Sequence, residues 1–247
     1  MSRTGSSAAD LAAPRAGRSR APAPGTATGR QAFATAGTDE KRERIMAVAA
    51  RLFFEHGYAS TTIALIAREL GVTKPFVYYY FRDKLELFEA ISWRPTVECL
   101  TAMDFDPADT RPAHLKLAEG LEKLIRATVA HHPAATLPYR EPQVYGAGYR
   151  KAAKRLADGF YAKTASLLEQ ARPAGRADFA DAKVTALAVA GIPGFLYAWY
   201  RPAGRFGQDE IVAQLTRIVV RAVGLRRLSR RPRTSSPAAR SPGPEMR

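Results

Sequence analysis

Lys74, Pro75, Phe76, Tyr78 and Tyr79 put an ammonium, two phenols and a bare aromatic ring within one turn and a half of chain, just after the hydroxyl of Thr73. Amines, hydroxyls and helix N-termini hold phosphate oxygens, and side chains on the first turns of a helix lying in a major groove reach base edges. The plainer reading makes Tyr78, Tyr79 and Tyr80 core and rim aromatics; Tyr80 fits it better than Tyr79 does. Elsewhere the chain offers little chemistry. No Ser/His/Asp spacing, phosphate loop or Cys/His cluster is present, so no metal and no organic cofactor is demanded, and an enzyme is the least favoured function class. The single Cys99 cannot form an internal disulfide and reads as a small buried apolar residue. His131-His132 closes a helix, where imidazole meets the negative end of the helix dipole.

The elements that must position these groups are readable from their punctuation. Thr38 or Asp39 caps a helix running to about Glu55, ended by His56-Gly57. A second helix follows Ser60-Thr61-Thr62, buries Ile63, Ile66, Ala67 and Leu70, and stops at Gly71. Thr73 caps a third from Lys74 to about Phe81, and Asp83 caps a fourth from Lys84. Helix, tight glycine turn and hydroxyl-capped second helix make a helix-turn-helix over 62 to 80, with Ile66, Val72, Val77 and Phe81 facing inward. Pro95 removes a hydrogen bond from the fourth helix and kinks or ends it, either as a hinge or as an ordinary break.

Beyond it, apolar residues recur at threes and fours from Leu117 to Val129, from Ala152 to Leu168 and from Ile211 to Ala222, and the stretch from Phe179 to Tyr200 is apolar on nearly every side. Alternation of period two is lacking, so the fold class is all-α. The net charge of +15 on 247 residues is unevenly spread: residues 1–38 and 225–247 hold two thirds of it and almost no large apolar side chains. Those two segments are expected to be disordered basic tails. An unbroken apolar run of membrane-spanning length is absent, as is an apolar N-terminal leader, which implies a soluble, cytoplasmic protein with no membrane partner. The charge excess favours a polyanionic partner.

The run Thr61-Thr62-Ile63-Ala64-Leu65-Ile66-Ala67-Arg68-Glu69-Leu70-Gly71-Val72-Thr73-Lys74-Pro75-Phe76-Val77-Tyr78-Tyr79-Tyr80-Phe81-Arg82-Asp83-Lys84, preceded by Phe53-Phe54-Glu55-His56-Gly57-Tyr58, resembles the DNA-binding domain of the tetracycline-repressor (TetR) family. The resemblance implies an N-terminal three-helix module over 39–84 and a helical ligand-binding and dimerisation domain over 85–224. It implies phosphate contacts from Thr62, Thr73, Tyr79 and Lys84, and base contacts from Lys74, Pro75, Phe76 and Tyr78. Lys74 has the reach for guanine and Phe76 a face for a thymine methyl. Ala64 stands where a basic residue is frequent, and Pro75 and Phe76 where small residues are common, so the operator is this chain's own.

The implied function is a dimeric, ligand-responsive regulator, in the usual case a repressor, that binds a palindromic double-stranded DNA operator and is released by a small apolar or amphipathic effector. A nonspecific architectural DNA binder and, last, a helical enzyme are the alternatives. Candidate pocket residues are Trp93, Cys99, Met103, Leu121, Thr128, Tyr145, Tyr149, Phe160, Phe195 and Trp199. Candidate homodimer contacts are Ile192, Phe195, Ile211, Leu215, Ile218, Val219 and Ala222, on the last two long helical segments.

Overall fold

The computed structural model describes residues 37–173 and 177–225. Both expected tails therefore lie almost wholly outside the described residues, apart from Gly37, Thr38 and Leu225. Among the described residues every regular element is helical: α1 (Thr38–Ser60), α2 (Ile63–Leu70), α3 (Lys74–Tyr80), α4 (Lys84–Leu100), α5 (Ala113–Ala130), α6 (Leu137–Arg140), α7 (Ala147–Ala171), α8 (Ala182–Gly194), α9 (Leu196–Trp199) and α10 (Gln208–Ala222). A single 3-10 turn, Ala134–Thr136, leads into α6.

Local signals explain the first four helices. Thr62 Oγ1 accepts from the Leu65 amide at 3.1 Å, Thr73 Oγ1 from Phe76 at 3.4 Å and an Asp83 oxygen from Glu86 at 2.8 Å. Each cap satisfies an amide that the first turn leaves without a helical partner. Gly71, at φ 67°, takes the left-handed turn between α2 and α3, and Gly57, at φ 78°, breaks the end of α1. Two expectations are corrected here. The start of α1 has Gly37 at the cap position with no side-chain bond, and Thr38 lies inside the helix. Pro95 does not end α4, which continues to Leu100 with the proline buried inside it.

Two apolar clusters form. Ile45, Phe53, Ile66, Val77, Phe81, Leu87, Phe88 and Ile91 fill the first, joined by Leu137 and Tyr145 from beyond α5. Phe88 meets Phe53 and Tyr58 edge-on, with ring centroids at 5.0 and 5.1 Å. The second cluster packs α5, α7, α8 and α10 around Leu117, Leu121, Phe160, Leu168 and Val219, and it takes in Leu225. Gly120 lets α5 approach the segment after α4: a Cβ there would sit 2.3 Å from Met103 Sδ.

The apolar stretch expected to run as one helix from Phe179 to Tyr200 is divided. Asp181 caps α8 through the Val184 amide at 2.8 Å, and the chain leaves helical hydrogen bonding at Phe195 before the single turn of α9. By length and composition Ala182–Trp199 would suffice to cross a membrane, with a mean hydropathy of 1.3. One face of α8 is instead packed in the second cluster through Ala186, Val189 and Ala190, as in a core helix.

Candidate nucleic-acid interface and junction cavity

The module presents the expected groups on one side. Val77 is fully buried, while Lys74, Pro75, Tyr78 and Thr62 are exposed. Phe76, Tyr79 and Tyr80 are half-buried: Tyr80 packs against Phe76 at 5.3 Å and Tyr79 at 5.0 Å between ring centroids, and both Phe76 and Tyr80 rest on the first cluster. Phe76 is thus braced, with one side for the core. Arg51 pairs with both Glu55 and Glu69, fixing α1 to α2 on the exposed side.

Lys84 is held differently from a free phosphate ligand. Its Nζ donates to the carbonyls of Tyr58 at 2.9 Å and Thr61 at 3.0 Å and lies 4.1 Å from the centre of the Tyr58 ring. An ammonium has three N–H groups, so one is left for an outside acceptor. Lys84 therefore ties the end of α1 to the start of α4, a role that spacing alone did not reveal. Thr61 supports the same corner from within, its buried hydroxyl donating to Leu52 and Gly57 carbonyls.

The body grips the module by polar contacts absent from the sequence reading. Glu141 Oε1 accepts from the Tyr58 amide at 3.2 Å, Arg140 donates to the Phe54 carbonyl, and Glu89 Oε1 accepts from the Gly146 amide at 2.7 Å. Ser92 and Tyr145 share a hydrogen bond of 2.7 Å, and Thr96 and Tyr149 one of 2.8 Å, linking α4 to the start of α7. Burial pushes both tyrosine hydroxyls well above the ordinary phenol range, so they stay protonated. His132 sits between Phe54 of α1 and Tyr200, at 5.0 and 5.1 Å between ring centroids, with neither ring nitrogen hydrogen-bonded. Loss of solvent, aided by the positive charge of Arg201, drives its pKa down to about 4.

At this junction lies a cavity of about 800 Å³, bounded by α1 through Arg42, Met46 and Ala50, by α4 through Ala90, Trp93 and Arg94, and by α7 through Tyr149 and Arg155. Of the ten residues expected to line a pocket, it gathers only Trp93 and Tyr149, whose rings meet edge-on at 5.5 Å. Tyr145 is stacked behind Tyr149 at 4.3 Å. Met103, Leu121, Thr128 and Phe160 are packed into the second core, and Phe195 and Trp199 are exposed. Cys99 faces that core too: its thiol is 3.5 Å from Thr128 Oγ1, and burial pushes its pKa up to about 11, which leaves it an unreactive thiol. Helical spacing marked these residues as inward-facing, which most of them are, but it does not tell a filled interior from an open one.

The residues expected at a homodimer contact also part company. Ile211, Leu215 and Val219 are buried within the protomer and Ile192 is half-buried, whereas Phe195 and Ile218 are 58% and 53% exposed and Ala222 is exposed. Val184, Leu187 and Ala188 extend the exposed row along α8. The all-round apolar character of Phe179–Tyr200 was the signal for this second face. No group of three or more His, Cys, Asp or Glu is close enough to hold a metal among the described residues. His131 is instead paired with Glu98 at 2.7 Å.

Residues 45–91 match the model of bacterial regulatory proteins of the tetR family, and residues 110–223 match that of the tetracyclin repressor-like C-terminal domain; together they take in well over half of the chain. AcrR, a transcriptional regulator of Shigella flexneri, is 44% identical over 52 residues, which are 21% of this chain and 24% of AcrR. This match thus covers only about a quarter of that relative. The fold is shared with a TetR transcriptional regulator family member of Streptomyces coelicolor A3, 26% identical, covering 74% of this chain and 91% of that one with a TM-score of 0.59. It is shared also with AibR, solved in complex with isovaleryl coenzyme A and operator DNA, at 20% identity, 72% and 97% coverage and a TM-score of 0.59. With one model on the helix-turn-helix module and the other on the helical body, the chain belongs to the tetR family of bacterial regulatory proteins, as a DNA-binding transcriptional regulator and not an enzyme.

Proposed function

We propose that this regulator acts as a homodimer that represses by occupying a palindromic operator and is released by a small effector. The observation that carries the reading is the junction cavity, because its walls come from the DNA module's own α1 and from the body's α7. A ligand that binds one relative setting of those walls better than another shifts the spacing of the recognition helices, and operator DNA weakens that ligand by the same factor. Lys74, Pro75, Phe76 and Tyr78 are assigned to base edges, and Thr62, Thr73, Tyr79 and the remaining N–H of Lys84 to phosphates.

Dimerisation is supported by the exposed row Val184, Leu187, Ala188 and Phe195 along α8 and its end, and by the exposed Ile218 on α10. A contiguous apolar face of this kind on a protomer marks an interaction site, and a two-fold axis lets one patch meet itself. Cytoplasmic location accords with a role on chromosomal DNA. The test is sedimentation and operator titration of the full chain and of Phe195→Glu. The wild type is expected to be a dimer at micromolar concentration, and the variant a folded monomer with operator affinity weakened at least tenfold. A wild-type monomer that still binds a palindrome tightly would contradict the dimeric reading.

A further inference from the structure

The junction cavity is kept open by small residues. Ala47, Ala90, Ala134, Gly146, Gly148 and Ala152 stand on its lining where larger side chains would fill it. Its larger apolar lining residues include Trp93, Tyr149, Met46 and Leu85, and its volume falls within the range of sites that enclose a small organic ligand, roughly 300–1,000 Å³. Its charges are unevenly engaged. Arg82 pairs with Asp83 at 3.1 Å, and the Arg42 guanidinium lies over the Phe81 ring at 4.6 Å. Glu86 accepts from the Arg82 amide at 2.7 Å, Glu89 from the Gly146 amide at 2.7 Å, and His131 is held by Glu98. Glu43 lies exposed on the α1 wall. Arg94 on α4 and Arg155 on α7 have neither an ion pair nor a side-chain hydrogen bond among the described residues, and both line the cavity.

We infer that this cavity binds an amphipathic anion: an apolar tail against Trp93 and Tyr149, and a carboxylate or phosphate head between Arg94 and Arg155. Guanidinium groups match either head with paired N–H donors, and charge-assisted bonds are stronger than neutral ones. Both guanidiniums are exposed, so an uncharged amphiphile of equal length leaves them to water and gains nothing from them. The head therefore sets specificity and the tail supplies burial. This deepens the effector-responsive reading and rests on it for its consequence: an anion joining α4 to α7 acts on the same helix that Lys84 anchors to the end of α1.

The probes are dodecanoate, dodecyl phosphate and dodecanol, each below its micellar concentration, titrated into the full chain by calorimetry. Trp93 fluorescence is followed in parallel in a Trp199→Phe background, since Trp93 and Trp199 are the only tryptophans. At least one anion is expected to bind tenfold or more tightly than dodecanol, and which anion it is distinguishes a carboxylate effector from a phosphate one. Arg94→Gln with Arg155→Gln should bring anion and alcohol to within about twofold. Gly148→Phe, at a position where an added Cβ meets no atom within 4 Å, should weaken all three by filling the space. Equal binding of anions and alcohol, or anion binding unmoved by the arginine substitutions, overturns the site. Arginine-dependent binding that leaves operator affinity unchanged upholds the site and overturns only its role in DNA release.

Discussion

From the helix-turn-helix into α4, the helices α2, α3 and α4 each begin at a side-chain cap, whereas among the described helices after α4 only α8 does. The module's corner is closed by hydrogen bonds that are local at Thr61 and Thr62 and that reach back from Lys84 to the Tyr58 and Thr61 carbonyls at the end of α1. The body's helices are set by burial of Leu117, Leu121, Phe160 and Val219 against partners far along the chain. Leu137 and Tyr145 of the body nevertheless join the module's apolar cluster, so the two meet across a packed seam. The proposed effector response acts at that seam.

The comparison breaks most visibly on α10. Leu215 is 7% exposed and Ile218 53% exposed, although one helical turn separates them. Leu215→Glu buries an unpaired carboxylate and should cost several kcal/mol, abolishing the cooperative thermal transition of the body. Ile218→Glu should leave helical content intact and lower only the dimer's stability, as read by circular dichroism beside sedimentation. Equal effects would place Leu215 on the surface or Ile218 in the core, against the packing described.

A medium-sized contrast separates two lysines. Lys84→Ala removes two charge-assisted bonds to carbonyls and should destabilise the module by about 1.5–3 kcal/mol in denaturant titrations. Lys74→Ala, on an exposed side chain, should leave stability within about 0.5 kcal/mol and weaken DNA binding instead. A stable Lys84→Ala protein with a reduced salt slope would make Lys84 chiefly a phosphate ligand.

A further contrast concerns acid. His132 holds a pKa near 4 in the folded chain against about 6.5 when unfolded, so the unfolded state takes up its proton first as pH falls. Stability from this group is fully present above about pH 6.5 and is lost between there and pH 4. His132→Phe, which keeps the contacts with Phe54 and Tyr200, should flatten that part of the melting-temperature profile. An unchanged profile would assign the acid sensitivity to other groups.

The all-helical class, the caps at Thr62, Thr73 and Asp83 and the exposed face of α3 were legible because each depends on residues within a few positions of one another. Lys84's carbonyl contacts were not, since they need the end of α1 folded back beside α4. The position of the junction cavity was not legible for a related reason. Met103, Leu121 and Phe160 and the true lining residues Trp93 and Tyr149 share the same helical periodicity, and only the small residues Ala47, Ala90 and Gly148 on separate helices leave room at one place and not at the other. Leu215 and Ile218 likewise lie on the same apolar helix, and α5 covers only part of it.

The central claim, that the exposed face of α3 reads base sequence for a symmetric dimer, is tested most directly by selecting duplexes from a random pool with the full chain and repeating the selection with Lys74→Ala and Phe76→Ala. The account predicts a palindrome with half-sites about one helical turn apart, and variants that relax one or two positions in each half-site, at about 1–3 kcal/mol per lost base contact. Selection of no palindrome, or the same preferences from all three proteins, would contradict it.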